Sequence, residues 1–169
     1  MQRLAIAFIL GLVALSLGPP AGAQGTEISF GVLKTDTSQP VDVTSDALDV
    51  NQEDGSALFK GNVLITQGQM RLSADSVLVI NKTEGSGIER LEARGNVILV
   101  SGTDAAEAGE ADYSIDSGLV ELRGSVLLTQ GTTSLGAERM VVNLATGNAT
   151  LSGRVRTTLS GGLSGGDNN

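Results

Sequence analysis

Between residues 40 and 159 the apolar positions come in short runs of Val, Leu, Ile and Thr, closed off by Gly, Asn, Asp and Ser. That is the patterning of strands separated by turns. Nothing in this region sustains an apolar period of 3.6 with caps at its ends, so helix is not expected in the body of the chain. Two kinds of run alternate. Val41-Asp42-Val43, Leu48-Asp49-Val50 and Tyr113-Ser114-Ile115 place apolar and polar side chains on opposite faces, as in a strand with one wet side. Val63-Leu64-Ile65, Val77-Leu78-Val79-Ile80 and Val97-Ile98-Leu99-Val100 are apolar on both faces, as in a strand covered on both sides.

The runs repeat. Gly61-Asn62-Val63-Leu64-Ile65-Thr66-Gln67-Gly68 returns as Gly95-Asn96-Val97-Ile98-Leu99-Val100-Ser101-Gly102 and as Gly124-Ser125-Val126-Leu127-Leu128-Thr129-Gln130-Gly131. It returns in worn form as Gly153-Arg154-Val155-Arg156-Thr157. The leading glycines stand 34, 29 and 29 residues apart. A second phrase is interleaved: Ala47-Leu48-Asp49-Val50 after Ser45-Asp46, Ala74-Asp75-Ser76-Val77, Ala111-Asp112-Tyr113-Ser114 and Ala137-Glu138-Arg139-Met140. Self-similarity at such spacing marks one supersecondary unit used several times, here a pair of strands. A two-sheet sandwich or jelly roll fits the pattern, and so does a parallel β-helix.

The N-terminus reads as an address. Met1-Gln2-Arg3 is cationic, Leu4 to Leu17 is apolar apart from Gly11 and Ser16, and Ala21-Gly22-Ala23 follows Pro19-Pro20. This is the layout of a secretory signal peptide, and its apolar run is shorter than the roughly 20 residues of a spanning helix. Cleavage after Ala23 removes one charged side chain, Arg3, and takes the net charge from -8 to -9. Retention of the segment would instead leave an uncleaved membrane anchor.

Composition narrows the chemistry. With no Cys there is no disulfide framework, thiolate nucleophile or Cys-held metal. With no His the commonest general base and zinc ligand is missing. Nineteen acidic against 11 basic side chains argue against tracking a nucleic-acid backbone. Tyr113, three Phe and no Trp offer no stacking platform. Neither cofactor nor metal is expected, nor an enzyme. The acidic residues Asp46, Asp75, Asp112 and Glu138 recur unit by unit, which suggests a turn or strand-start role rather than a glycosidase pair. A core of small aliphatic side chains is either tightly closed or leaves a slot for an apolar ligand.

The lead Gln39-Pro40-Val41-Asp42-Val43-Thr44-Ser45-Asp46, the strand Gly61-Asn62-Val63 to Gly68 and the phrase Leu72-Ser73-Ala74-Asp75 together resemble the LptA/OstA family of periplasmic lipopolysaccharide-transport proteins. The resemblance covers residues 39 to about 145. It implies an all-β, single antiparallel jelly roll of about sixteen strands, with V-shaped sheets open at both ends. The roll would occupy residues 40–159, after a signal peptide (1–23) and a polar lead-in (24–39), and before a flexible Gly/Ser-rich tail (160–169).

The same resemblance implies a periplasmic protein that binds lipopolysaccharide, shields lipid A acyl chains in an aliphatic groove and bridges inner- and outer-membrane machinery without chemistry of its own. Its implied partners are lipid A, an inner-membrane-anchored Lpt partner at the N-terminal edge, the outer-membrane Lpt translocon at the C-terminal edge, and further copies head to tail. Nucleic acid is not among them. On the family pattern Val41, Val43, Val63, Ile65, Val77, Val79, Val97, Leu99, Tyr113 and Ile115 face the groove. Val41, Val43 and Val50 mark one edge, and Leu151, Val155 and Leu159 the other. Lys60, Arg94 and Arg123 each precede a repeat glycine and would form a column, either touching lipid phosphates or discouraging stray strand pairing. The alternative function is a structural β-repeat module with a closed core and no lipid ligand.

Overall fold

The computed structural model describes residues 26–29 and 36–159. The expected signal peptide (1–23) and tail (160–169) lie outside the described residues. Eleven strands follow in chain order: β1 (Thr26–Ser29), β2 (Asp42–Thr44), β3 (Ala47–Val50), β4 (Ala57–Gln67), β5 (Met70–Asn81) and β6 (Ile88–Ser101). Then come β7 (Asp104–Ser114), β8 (Leu119–Gln130), β9 (Thr133–Asn143), β10 (Asn148–Ser152) and β11 (Arg156–Leu159). No helix occurs among the described residues. Every pairing is antiparallel, which excludes the β-helix. The sheet is open, with β2 and β3 at one end and β1 and β11 at the other.

A bend runs across all of it. Gly61-Asn62, Gly95-Asn96, Gly124-Ser125 and Gly153-Arg154 all take positive φ, between 44° and 83°. Glycine enters this left-handed region freely, and Asn tolerates it better than other side chains. At the first three pairs the ladder slips register, as at a β-bulge. The burial pattern confirms the turn of the strand. In β5 the buried positions are Met70, Leu72 and Ala74 before the bend, but Val77 and Val79 after it. In β7 they shift from Ala106 to Ala111 and Tyr113, and in β9 from Leu135 and Ala137 to Met140 and Val142.

The bends stack into one crease that divides the sheet into two layers. The upper layer holds β1, β3, β10 and the segments 57–60, 76–81, 88–94, 110–114, 119–123 and 139–143. The lower layer holds β2, β11 and the segments 63–67, 70–74, 97–101, 104–108, 126–130 and 133–137. One face of each layer is buried almost completely, and nothing else in the described chain covers it, so the two layers face each other. β2 with β3 and β10 with β11 are themselves lines broken at the crease. The eight lines β2–β3, β4 to β9 and β10–β11, counted on each side of the crease, reconcile eleven strands with the about sixteen expected of such a jelly roll.

Side chains facing the crease close it. Asn62 Nδ2 donates to Asp46 Oδ2 at 2.7 Å, and Asn96 Nδ2 to Asp75 Oδ2 at 2.8 Å. Glu138 faces Gly153 and pairs with Arg154 at 3.5 Å. The recurring acidic side chains are thus crease partners, with one correction. The place expected for Asp112 belongs to Gly109, whose backbone lies against Gly124. Asp112 sits beyond the bend, in the upper layer. The segment expected as a polar lead-in supplies β1, which crosses to the far end of the sheet and pairs with β10.

Candidate functional site

The two inner faces form one continuous aliphatic interior. Val63, Ile65, Val77, Val79, Val97, Leu99 and Tyr113 are buried there, and Val41, Val43 and Ile115 pack part-buried against them. The later strands contribute as much: Val120, Leu122, Val126, Leu128, Met140 and Val142 are equally buried. Sequence reasoning stopped at Ile115 and missed them. The alternation Val120-Glu121-Leu122, and Met140 two residues from Val142, carried the signal.

The interior is closed in its middle and opens at the ends of the sheet. Leu48 and Val50 are 51% and 62% exposed. They sit opposite Phe59 and Ala57, which pack on the core. Directly opposed residues of an antiparallel pair share a face, so Leu48 and Val50 continue the inner face into solvent. At the far end Leu159 is 73% exposed and sits opposite Thr133, on the inner face of β9 with Leu135. Val41, Val43 and Val50 therefore stand at or beside one end of the sheet, and Val155 and Leu159 at the other. Leu151 does not stand at an edge. It is fully buried, and β1 covers its strand, with Thr26 opposite Leu151.

Polar groups inside are few. Gln67 is buried, accepts a hydrogen bond from the Tyr113 hydroxyl at 2.5 Å, and donates to the carbonyls of Thr37 and Gln39 at 2.9 Å each. Burial pushes the Tyr113 phenol up to about 12, against the downward pull of its bond to Gln67. At the lower-layer turns Gln130 Nε2 donates to Asp104 at 2.7 Å.

The charged side chains gather on the outer face of the upper layer. Lys60, Ser76, Arg94, Glu110, Arg123 and Arg139 lie in one row across the strands, so the expected column of Lys60, Arg94 and Arg123 is present. It faces away from the aliphatic interior, and each member has acidic partners. Lys60 pairs with Asp49. Arg94 reaches Asp112 at 2.9 Å and Glu110 at 3.4 Å. Arg123 pairs with Asp112, with Glu121 at 3.0 Å and with Glu110 at 3.1 Å. Burial works against ionisation at Asp112, but the bonds from Arg94 and Arg123 outweigh it and hold the carboxyl low. The Arg139 hydrogen bond, at 2.7 Å, is the main force that brings Glu121 down to about 2.

Among the described residues no three His, Cys, Asp or Glu side chains could hold a metal ion, and no helix is long and apolar enough to cross a membrane. The interior is aliphatic, and its buried polar side chains among the described residues are Gln67, Ser101 and Asp104.

The family described as LptA/(LptD N-terminal domain) LPS transport protein matches residues 42–155. An uncharacterized protein of Rhizobium meliloti is 31% identical over 121 residues, covering 68% of this chain and 61% of its own. The lipopolysaccharide export system protein LptA of Haemophilus influenzae is 36% identical over 67 residues, 39% of each chain. The same-named protein of Escherichia coli K12 is 33% identical over 60 residues, 36% of this chain and 32% of its own. The matched stretch thus spans less than two thirds of the length of each of these relatives. Among solved structures, LptH of Pseudomonas aeruginosa, described as the LptA-homologous periplasmic component of the lipopolysaccharide transport device, superposes with a TM-score of 0.66. It shares 17% identity, over 75% of this chain and 99% of that one, and so establishes the fold.

Proposed function

The chain belongs to the LptA/LptD N-terminal domain family of lipopolysaccharide-transport proteins, and on that premise we propose that it carries lipopolysaccharide across the periplasm by sheltering lipid A acyl chains between its two layers. The observation that carries this reading is the aliphatic inner face that runs out into Leu48 and Val50 at one end and Leu159 at the other. A self-contained domain would gain by burying those side chains, each on the order of 1.5–3 kcal/mol when fully covered.

The physics of the cargo asks for such a surface. Exposing hydrocarbon to water costs about 0.8 kcal/mol per CH₂, so one chain of about twelve carbons costs roughly 10 kcal/mol. A lipid with several chains needs continuous cover across an aqueous gap. Aliphatic walls without deep aromatic pockets hold such chains and let them slide. The sugars and phosphates stay outside. Strand addition at the two open ends would join the domain to an inner-membrane-anchored partner, to the outer-membrane translocon or to further copies. No step in this role breaks or makes a bond. A cleaved signal peptide at residues 1–23 would deliver the chain to the periplasm.

A second reading, a closed structural module, is favoured by the complete burial of Val77, Leu99, Val120 and Leu128 in the middle of the interior. One experiment separates them. Photo-crosslinking side chains replace Leu48 at the mouth, Val63 in the interior and the exposed Asp54 as control, in residues 24–169. Lipopolysaccharide captured at positions 48 and 63 but not at 54 supports transport. Capture at none of the three overturns it in favour of the closed module.

A further inference from the structure

At its far end the sheet is not left bare. β1, from the N-terminal segment, pairs with β10 across the upper layer, while β11 in the lower layer is exposed along its whole length. What β1 replaces can be read from the chain's own repeat. The junctions β4–β5, β6–β7 and β8–β9 share one register. In each, the residue before the bulge glycine lies opposite the residue that follows the crease residue of the next strand (Asp75, Gly109 or Glu138): Lys60 opposite Ser76, Arg94 opposite Glu110, Arg123 opposite Arg139. Beyond the bulge Val63, Val97 and Val126 lie opposite Ala74, Ala108 and Ala137.

Gly153 is the last bulge glycine, and the line that would follow it is the first line of a second copy. The same register then sets Ser152 opposite that copy's Ala47, Leu151 opposite its Leu48 and Ala149 opposite its Val50. In the lower layer it sets Thr157 opposite its Val43 and Leu159 opposite its Val41. Every inner-face position meets an inner-face position, and the three most exposed large apolar side chains among the described residues, Leu48, Val50 and Leu159, are covered. Charge agrees with this register. The β2–β3 edge bears Asp42, Asp46 and Asp49, and the β11 edge bears Arg154 and Arg156. Arg156 falls opposite Thr44, diagonal to Asp42, a spacing at which long side chains interact.

β1 holds Thr26, Glu27 and Ile28 opposite Leu151, Thr150 and Ala149. These are the places the register assigns to Leu48, Asp49 and Val50 of a second copy. The sequences agree at two of the three, an acidic residue followed by an aliphatic one, and Ile28 packs on the core. We propose that β1 is an internal stand-in for β3 of a second copy, which closes the upper half of the joining edge until an incoming β2–β3 edge displaces it.

The exposed β11 provides the landing strip. An incoming β2 pairs there first, and its β3 then displaces β1 from β10. A tethered strand competes at an effective concentration in the mM range, so a second copy at μM concentration is held off without being excluded. This rests on the strand-addition part of the transport reading and is independent of lipid binding.

The chain has no cysteine, so a lock is clean to build. Glu27→Cys with Thr150→Cys joins directly opposed residues, and Thr150 is solvent-exposed. Ile28→Asp releases β1 by placing a charge against the core. Association of residues 24–169 is followed by sedimentation velocity. Ile28→Asp is expected to raise the association constant about tenfold or more. The oxidised lock is expected to lower it by a comparable factor, with full recovery in reductant. In the Ile28→Asp background, Arg156→Asp weakens association and adding Asp42→Arg restores part of it. Equal association in locked, reduced and released forms overturns the proposal, as does a released form that stays monomeric. So does indifference to the charge reversal. Lipopolysaccharide capture by the same monomers reports on transport separately, and its failure would leave the strand competition standing.

Discussion

Tyr113 donates its hydroxyl proton to Gln67 Oε1 at 2.5 Å, and this bond ties the free margins of the two layers together. Tyr113 precedes the β7–β8 turn by one residue in the upper layer, and Gln67 is the last residue of β4 in the lower layer. Both lie far from the crease. Gln67 gives both of its amide N–H donors to the Thr37 and Gln39 carbonyls, so the stretch before β2 is anchored at the same point. Tyr113→Phe leaves the Gln67 oxygen buried without that donor and is expected to cost about 1–3 kcal/mol. A lower urea midpoint at unchanged slope would measure it. The double variant with Gln67→Met should cost less than the sum of the single changes, because the two residues share a bond. Strict additivity would show that the bond contributes nothing.

Alkaline titration isolates the same residue, since it is the chain's one tyrosine. Burial raises its folded-state value to about 12, above the ordinary value of about 10. A raised folded value means that the native state keeps its proton when the unfolded chain has lost its own. The contribution to stability is therefore complete below about pH 10 and disappears as pH rises towards 12. Phenolate absorbance of the folded protein should rise near pH 12, and the Tyr113→Phe variant should lack this part of the alkaline loss. An ionisation midpoint near 10 in the native state would contradict the burial.

Acid acts on the outer face of the upper layer. The Arg139 hydrogen bond depresses Glu121 to about 2, and Asp112 is held low by Arg94 and Arg123 despite its burial. The sign is opposite to that of the tyrosine. These carboxylates stabilise the fold above their unfolded values, and for Glu121 the contribution is lost as pH falls from about 4.5 towards 2. Carboxyl chemical shifts followed by NMR should place Glu121 near pH 2. Arg139→Gln should return it towards 4.5 while leaving the midpoint of thermal unfolding at pH 7 little changed, because exposed ion pairs contribute little. An unmoved Glu121 in that variant would assign its depression to another group.

Substitution at the crease should be costly in proportion to what a Cβ would strike. At Gly61, φ is +74° and a Cβ would lie 2.6 Å from Asp46 Oδ2. Gly136 has ordinary φ and open space around it. Gly61→Ala is expected to destabilise by about 1–2 kcal/mol or more from backbone strain plus the displaced Asp46. Gly136→Ala should lie within about 0.5 kcal/mol of the parent. Chemical denaturation compares the two directly. A tolerated Gly61→Ala would mean that the bend does not depend on left-handed backbone.

The strands were legible because Gly, Asn and Ser punctuate runs such as Val63 to Ile65 and Val97 to Val100. The runs Val77 to Ile80 and Val97 to Val100 are apolar at every position, so their inner face is named on the family pattern and not read from alternation. Three features were not legible. The parity change inside β5, β7 and β9 occurs at Asp75-Ser76, Gly109-Glu110 and Glu138-Arg139, where the sequence has no common mark. Local sequence therefore equates Asp112 with Asp75. The pairing of β1 with β10 joins Thr26 to Leu151, too far apart for any local pattern to report, and it moves Leu151 from edge to core. The bond of Gln67 to Tyr113 likewise depends on the two layers facing each other. The spacing of Val63, Ile65 and Gln67 puts Gln67 on the inner face, but nothing in the repeat names its partner across the layers.

The shared register of the β4–β5, β6–β7 and β8–β9 junctions makes the domain a ruler. Each hairpin unit brings its own bulge glycine, its own crease neighbour and its own stretch of inner wall, and it meets the units on either side in the same way. Inserting one unit of 29 residues, from Gly95 to the residue before Gly124, would lengthen the sheet by two strands, about 9.6 Å. Neither end would change. On the transport reading, the width of the gap to be crossed could then be matched by counting hairpins within one chain, without redesigning a single interface.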